Sequence, residues 1–253
     1  MKRIGKSFKR LPYSSREEWL GLRKLGGSDA SAILGYNPYR TNLQLWQELV
    51  GLRERQNVDN KFTRYGTEVE QYLRGIFTAD FKDYDNDSYF LKVNHTNEVL
   101  QRIDKPYLTA SLDGELEVIQ TFKFMSYWKK HFSEDEEIII PEPIILQEGM
   151  KGVLEIKTAD VLSAMHKEKW FNSIPQNYYC QCLHYLNVTN YDFVILMAQL
   201  TFKDVHGVMT HETRFYGFLK VGREKELEYL EKQMDKFWYC VETKTEPALK
   251  INF

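Results

Sequence analysis

The stretch that decides the fold is residues 152–158, which read Gly-Val-Leu-Glu-Ile-Lys-Thr. Its β-branched and aliphatic residues favour a strand, in which successive side chains point to opposite faces of the sheet. Leu154 and Ile156 therefore face the core, while Glu155 and Lys157 project together from the other face. A lone pair of this kind is most often the solvated face of a half-buried strand. This stretch alone predicts a sheet and leaves its chemistry open.

Helix signals dominate the chain before this strand, up to about residue 80. Ser15 opens the first helix with capping-box spacing, and Thr41 opens the third. Ser28 or Asp29 can cap the short helical turn between them. Apolar residues at helical spacing from 69 to 77 mark a fourth helix. We therefore expect a helical N-terminal region.

From about residue 89 the spacing of apolar residues changes from that of helices to that of strands. Strand-like runs cover residues 89–93, 107–112, 153–158, 191–200 and 213–221. Pro175 can be the first residue of a helix between the runs 153–158 and 191–200. Apolar residues three and four apart from Leu227 to Val241 predict an amphipathic last helix. The order of elements predicts an α/β fold with a mixed central β-sheet flanked by helices.

Length and composition fit a single folded domain over residues 1–253. The chain is 43% hydrophobic, which is enough to bury a sizeable core. No repeat, low-complexity tract or Gly/Ser/Pro-rich linker divides it. We expect a helical N-terminal region over about 1–80 and a core over about 81–253.

Charge, hydropathy and cysteine content exclude several classes of protein. The mean hydropathy of −0.51 and the lack of a long apolar run argue against a membrane protein. No secretory signal is recognisable, so we expect a cytoplasmic protein, in the bacterial host if a phage encodes it. Three cysteines cannot build a disulfide framework. With a net charge of −2, a nucleic acid must be held by local groups of Lys and Arg.

A second polar position is Asp113, within the sequence Ser-Leu-Asp-Gly of residues 111–114. The segment ends a predicted strand, which would place the carboxylate at the sheet edge where a ligand can reach it. Asp-Gly is first of all a turn signal, and a plain hairpin is the alternative.

Asp113, Glu155 and Lys157 taken together predict a more specific chemistry than any of them alone. Two carboxylates and a strand carbonyl can hold Mg²⁺ and leave positions open for water and a phosphate oxygen. A lysine near the metal can position or deprotonate the attacking water and offset charge on the phosphate. Hydrolysis of a phosphodiester needs this arrangement because its main barrier is accumulated negative charge.

These residues stand within a longer ordered series of motifs. The series runs through Trp19 and Arg23, residues 26–30, residues 34–41, residues 66–70, residues 111–114, residues 154–157, and then Trp170, Pro175 and Gln181. It resembles the YqaJ-like viral recombinase family, which includes lambda exonuclease, within the PD-(D/E)xK nucleases. The resemblance implies a restriction-endonuclease-like core and the site residues that follow.

The resemblance implies a role for each matching residue of the metal site. Asp113, Glu155 and the main-chain carbonyl of Ile156 would bind Mg²⁺, for which Mn²⁺ is expected to substitute. Lys157 would be the catalytic lysine. Glu70 would support the metal from its helix, and Glu68 is the alternative that lies two residues away. An exposed helical glutamate is the simpler explanation for Glu68.

Four further residues are expected to position or bind the substrate. Gln181 and Tyr185 lie four apart on one helix face and could orient the lysine or a DNA phosphate, although a tyrosine here could also be a core residue. Arg23 and Ser28 match the family's N-terminal signature and would receive a terminal 5′-phosphate. The alternative is that Ser28 is a helix N-cap and Arg23 the solvated end of a helix.

The resemblance also implies an activity and partners. We expect a phage or prophage exonuclease that resects double-stranded DNA from 5′ ends, acts with a single-strand annealing protein, and assembles as a homo-oligomer in the form of a trimeric ring. The alternatives are a structure-specific or restriction-like endonuclease and a non-cleaving DNA-binding protein of nuclease fold. The intact set of two acids and a lysine argues against a pure binder.

One segment departs from the family pattern. An insertion over about 115–151 separates Asp113 from Glu155 and carries basic, aromatic and acidic residues. These include Lys123, Lys129, Lys130, Phe122, Phe124, Tyr127, Trp128 and the acidic run 134–137. The mixture could grip DNA or a partner, or it could form an extended hairpin with a small core of its own.

Overall fold

A mixed β-sheet forms the centre of the computed structural model, which describes residues 7–55, 60–127, 142–203 and 206–251. In chain order the strands are β1 (Phe8–Pro12), β2 (Lys82–Asp83), β3 (Ser88–Tyr89), β4 (Leu91–Asn94), β5 (Glu98–Arg102), β6 (Thr109–Ala110), β7 (Gly114–Val118), β8 (Phe122–Phe124), β9 (Ile144–Leu146), β10 (Lys151–Val161), β11 (Phe193–Lys203) and β12 (Met209–Leu219). The helices are α1 (Arg16–Leu22), α2 (Gly27–Leu34), α3 (Asn42–Leu49), α4 (Lys61–Asp80), α5 (Ala164–Lys169), α6 (Gln176–Thr189) and α7 (Glu224–Glu242).

The central sheet has the strand order β12-β11-β10-β7-β4. β10 and β11 run parallel, and the other neighbouring pairs are antiparallel. β11 is almost wholly buried, which explains its nearly continuous apolar sequence. The predicted class, a mixed central sheet flanked by helices, is confirmed.

The sheet separates two groups of buried side chains. On one face, Leu154 and Ile156 of β10 pack with Leu73 and Phe77 of α4. On the opposite face, Val153 belongs to a core that includes buried residues of α2, α6 and α7. Because side chains alternate along a strand, β10 buries Leu154 and Ile156 against α4 and turns Val153, Glu155 and Lys157 to the opposite face.

The N-terminal region is not helical throughout, which corrects the prediction for residues 1–80. Its described part begins with β1, which pairs antiparallel with β5 in a sheet of order β1-β5-β6. No alternation of polar and apolar residues marks Phe8–Pro12 as a strand, and its partner lies far along the chain. Ser15 and Thr41 cap α1 and α3 as predicted, since the side chain of each accepts a backbone N–H three residues on.

The insertion is shorter than the predicted range 115–151. Residues 115–118 belong to β7, and Glu115 to Glu117 pair with Val153 to Lys151 of the central sheet. The described part of the remaining segment forms the antiparallel hairpin of β8 and β9, and Phe124 joins the apolar core beside α4. The expected antiparallel pairing is confirmed for these residues, but the expected core of its own is wrong, because Phe124 and Leu146 belong to the core beside α4. Trp128, Lys129, Lys130 and the acidic run 134–137 lie outside the described residues.

One predicted strand is shorter than expected, whereas the last helix forms as predicted. Of the predicted strand 107–112, only the two residues of β6 form a strand, and Leu108 beside them makes an isolated parallel bridge with Leu25. The last helix forms as expected and buries Leu227, Leu230, Met234 and Phe237.

No helix in the described part of the chain has the length and apolar character needed to cross a membrane.

Candidate active site

Strand β10 presents Glu155 and Lys157 to helix α6. Glu155 is fully buried, and its Oε1 pairs with Lys157 Nζ and accepts a hydrogen bond from Gln181 Nε2 at 2.6 Å. Gln181 Nε2 also donates to the Tyr185 hydroxyl at 2.6 Å. The solvated-face alternative is therefore wrong for Glu155 and Lys157. The helical spacing of Gln181 and Tyr185 places both on the face of α6 that covers Glu155.

Asp113 is tied to the same strand. Its Oδ2 accepts the main-chain N–H of Ile156 at 2.7 Å, and its main-chain carbonyl accepts Arg74 Nε, also at 2.7 Å. Gly114 does not make a hairpin turn; it begins β7, and a Cβ there would lie 3.1 Å from Val93 and 3.3 Å from Leu154. The plain-hairpin alternative is therefore wrong, and the glycine permits close packing of β7 between its neighbours.

The charge on Glu155 is only partly compensated. Its Oε2 is buried and has no hydrogen-bond partner within the described structure. Burial raises the pKa of Glu155 to about 8, and the nearby Asp113 charge adds to this effect against the opposing charge of Lys157. Burial lowers the pKa of Lys157, but Glu155 and Asp113 outweigh it and the pKa stays above its ordinary value. The lysine is therefore charged, and the carboxylates still compete for positive charge.

Glu70 completes the acidic group from helix α4. Its Oε1 accepts a hydrogen bond from Arg74 Nη2 at 2.5 Å. Burial and the Asp113 charge raise the pKa of Glu70 to about 7, although Arg74 and Lys157 oppose the shift. Glu68 lies at an exposed position of the same helix. Glu70, and not Glu68, therefore belongs to the same electrostatic group as Asp113 and Glu155.

The donor chemistry of this group suits a hard divalent cation. No three His, Cys, Asp or Glu side chains in the described ranges converge tightly enough to enclose a metal ion as they stand. Even so, Glu155 Oε2 is unpartnered within the described structure, and the Asp113 charge helps to raise the pKa of Glu155. Carboxylate oxygens are the ligands that Mg²⁺ prefers. The residues present fit such an ion.

A cleft of about 190 Å³ opens beside Asp113. The N-terminal helices and α6 form its walls, so that residues far apart in the sequence face one space. Its lining consists of Trp19, Arg23, Gly27, Ser28, Ser111, Asp113, Gln181 and Tyr185. The structure thus brings both expected phosphate-binding residues to the same cleft as the expected catalytic aspartate.

Arg23 and Ser28 are held together at the start of α2. Arg23 Nη2 donates to Ser28 Oγ at 2.7 Å, and its guanidinium lies 5.0 Å from the Trp19 ring centroid. Gly26 is the N-cap, so the prediction that Ser28 or Asp29 caps this helix is wrong. Ser28 is instead a first-turn residue whose side chain meets Arg23. The alternative of Arg23 as a solvated helix end is also wrong, because its side chain is only 17% exposed.

Two glycines make this geometry possible. A Cβ on Gly26 would lie 2.5 Å from Arg23 Nε, and a Cβ on Gly27 would lie 2.7 Å from Gln181 and from Tyr185. Side chains at these positions would displace the arginine or separate α2 from α6. The glycine pair therefore lets α2 approach both Arg23 and the Gln181 and Tyr185 side chains of α6.

Three residues at this site were not predicted from the sequence. Asp29 lies buried behind Arg23 and pairs with Arg40, while Arg74 contacts Asp113 from α4. Ser111 lines the cleft and accepts the Trp19 indole N–H at 2.8 Å. Ser111 stands two residues before Asp113, and a shared strand face could have indicated it. Nothing in the local sequence marks Arg74 or Asp29.

Comparison with known proteins extends these observations. A model of the YqaJ-like viral recombinase domain matches residues 18–192. The "Uncharacterized protein YqaJ" of Bacillus subtilis (strain 168) is 30% identical over 139 residues. That match covers 53% of this chain and 40% of the relative, so the chain spans less than half the length of this curated relative.

Solved structures with a similar fold are those of an alkaline exonuclease, LHK-Exo, from Laribacter hongkongensis. Its crystal structure matches with a TM-score of 0.53, and that of its complex with dAMP with a TM-score of 0.55. In both cases the identity is 14%, and the match covers 90% of this chain and 93% of the other. At this identity the likeness concerns the fold, which is the restriction-endonuclease-like fold expected from the sequence.

Proposed function

The chain belongs to the YqaJ-like viral recombinase family, and from this premise we propose that it is a magnesium-dependent deoxyribonuclease. The observation that carries the proposal is the state of Glu155. It is fully buried between Lys157 and Gln181, and one of its oxygens has no partner within the described structure. A buried carboxylate left in this condition destabilises the fold. Such a group is typical of a site whose missing partner is a cation.

The residues that would hold the ion are Asp113, Glu155 and the main-chain carbonyl of Ile156, with Glu70 in support from α4. When bound, Mg²⁺ or Mn²⁺ would supply Lewis-acid stabilisation of the charge that develops on the phosphate. Asp113 already accepts the Ile156 N–H at 2.7 Å, so the protein holds this carboxylate against β10. Little further ordering of Asp113 is then needed when a cation arrives.

Lys157 would act as a cation and not as a base. Because Glu155 and Asp113 keep its pKa above the ordinary value, its ammonium stays protonated. It would orient the attacking water through its N–H groups and offset negative charge on the phosphate in the transition state. Gln181 and Tyr185 would fix the Glu155 side chain and limit the positions open to the substrate.

A terminal 5′-phosphate would bind at the start of α2. The Arg23 guanidinium can offer paired N–H donors, and Ser28 and the first backbone N–H groups of the helix can add to them. The cleft joins this position to Asp113. A pocket for a terminal phosphate beside the hydrolytic residues favours removal of nucleotides from 5′ ends of double-stranded DNA. It favours an exonuclease over an endonuclease.

The decisive experiment compares linear and closed circular duplex DNA of the same sequence. With Mg²⁺ we expect release of mononucleotides from the linear form and no change in the circular form. Chelator, and a Lys157→Ala protein purified in the same way, should both abolish release. Cleavage of the circle would instead establish an endonuclease, and binding without cleavage of either substrate would establish a DNA-binding protein of nuclease fold.

Family membership also supports a role for this activity in phage or prophage recombination. The 3′ single strand left by resection would then pass to a single-strand annealing protein. We further propose that the protein assembles as a homo-oligomer, a trimeric ring around DNA. Light scattering on the purified protein tests this assembly, and a monomer at micromolar concentration would contradict it.

A further inference from the structure

One arginine touches two parts of the proposed site without reaching the cleft lining. Arg74 lies on α4 one turn after Glu70, and its side chain is 17% exposed. Its Nε donates to the main-chain carbonyl of Asp113 at 2.7 Å, and its Nη2 donates to Glu70 Oε1 at 2.5 Å. A single guanidinium thus joins the helix that carries one acid to the segment that carries another.

The connection continues into the central strand. Asp113 accepts Arg74 through its main chain and accepts the Ile156 N–H through Oδ2. The segment before β7 is therefore held from both sides, by α4 and by β10. A guanidinium is planar and presents its donors at fixed angles, so two simultaneous acceptors determine its position and theirs. Arg74 therefore links Glu70 to Asp113 in a fixed geometry.

Charge compensation alone does not explain these contacts. A helical ion pair four residues apart, such as that of Arg74 with Glu70, stabilises a protein only weakly. The bond from Nε to Asp113 is of another kind, because it spans 39 positions in the sequence and ends on a neutral carbonyl. A lysine would keep the charge but could not reach both acceptors in a fixed geometry.

We propose that Arg74 is a positioning residue that sets the Asp113 and Glu70 carboxylates for a divalent cation. This inference rests on the proposed function and adds to it the residue that orders the acidic group. Arg74 would contact neither DNA nor the ion. Supporting residues that orient metal ligands typically change metal affinity or activity by about 10- to 100-fold when removed.

The test compares Arg74→Lys and Arg74→Ala with wild type and with Arg64→Lys, a charge-conserving control at an exposed position of the same helix. Mn²⁺ binding is measured by calorimetry without DNA, and kcat and KM are measured on linear duplex DNA. We expect Arg74→Lys to weaken Mn²⁺ binding roughly tenfold or more and to lower kcat by a similar factor. KM for DNA and the circular dichroism spectrum should stay those of wild type.

The outcomes separate positioning from charge and from folding. Wild-type Mn²⁺ affinity in Arg74→Lys would overturn the proposal, because it would show that charge alone suffices. If Arg74→Ala fails to fold, the Lys variant still decides. If wild type has no nuclease activity at all, the proposed function fails, yet weaker Mn²⁺ binding in Arg74→Lys would still support the positioning role and unchanged binding would overturn it.

Discussion

Asp29 and Glu155 are both fully buried carboxylates, yet their surroundings are opposite. Asp29 accepts the Gly26 N–H at 2.8 Å, pairs with Arg40 and lies 4.0 Å from Arg23. Glu155 meets Lys157 and Gln181 through one oxygen, and its other oxygen has no partner in the described structure. The first carboxylate is saturated with donors and the second is not.

The electrostatics follow this difference. Burial raises the pKa of Asp29, but Arg23 and Arg40 outweigh it and hold the pKa below its ordinary value. Burial raises the pKa of Glu155 to about 8, and a neighbouring carboxylate adds to the shift. A buried carboxylate whose charge is balanced by arginines of the same protein, as in Asp29, stabilises the fold. One that still requires positive charge marks a place where a ligand belongs.

The largest expected effect is on kcat and concerns Glu155 and the two charged residues beside it. Asp113→Ala, Glu155→Ala and Lys157→Ala should each reduce kcat by about 10³-fold or more, equivalent to roughly 4 kcal/mol, and leave the fold intact. The reason is that each removes a charge needed once metal and phosphate are present. Nucleotide release measures the change in kcat, and circular dichroism checks that the fold is intact. Asp160→Ala, on the same strand, is the control, and near wild-type rates in any two site variants would contradict the assignment.

The unsaturated carboxylate should also leave a signature in the pH dependence of stability. The carboxyl of Glu155 has a higher pKa in the folded chain, about 8, than its ordinary 4.5, so its contribution is present at low pH and is lost as pH rises toward 8. Glu155→Gln cannot ionise. Between pH 5 and pH 9 in chelator, its stability relative to wild type should increase by about 4 kcal/mol. Denaturant unfolding at both pH values measures this, and a difference independent of pH would refute the raised pKa.

The saturated carboxylate should behave in the reverse way. Asp29→Asn should lower the free energy of unfolding by about 3–5 kcal/mol at neutral pH, because Arg40 and Arg23 lose their buried counter-charge. Glu68→Gln, at an exposed position, is the matched control and should change stability by less than about 0.5 kcal/mol. Denaturant titration followed by circular dichroism makes the comparison. A loss below 1 kcal/mol in Asp29→Asn would show that the buried ion pair is not structural.

The smallest effect concerns the arginine that lies between Asp29 and the cleft. Wild type should digest duplexes with a 5′-phosphate faster than matched duplexes with a 5′-hydroxyl, and Arg23→Ala should reduce this preference about tenfold. That factor matches one hydrogen bond to a charged group, roughly 1.5 kcal/mol. Initial rates on the two substrates measure it, with Arg16→Ala as the control. No preference in wild type, or an undiminished one in Arg23→Ala, would place the phosphate elsewhere.

Local sequence carried much of the chemistry of this site. The alternation around Glu155 predicted that it and Lys157 share a face, and the four-residue spacing of Gln181 and Tyr185 predicted a shared helix side. Both follow from regular periods of strand and helix, which depend only on neighbours in the sequence. The expected metal and phosphate ligands remain predictions that the experiments above test.

Tertiary structure decided which of these groups lack compensation. The contacts that distinguish Asp29 from Glu155 join β10 to α6 and α2 to the loop at Arg40, and Arg74 reaches Asp113 across 39 positions. No local period encodes such contacts. Burial and the pKa shifts it causes depend on all elements packed around a group. The sequence by itself determined the residue types and their faces, and only the packed structure determined where the charge stays unbalanced.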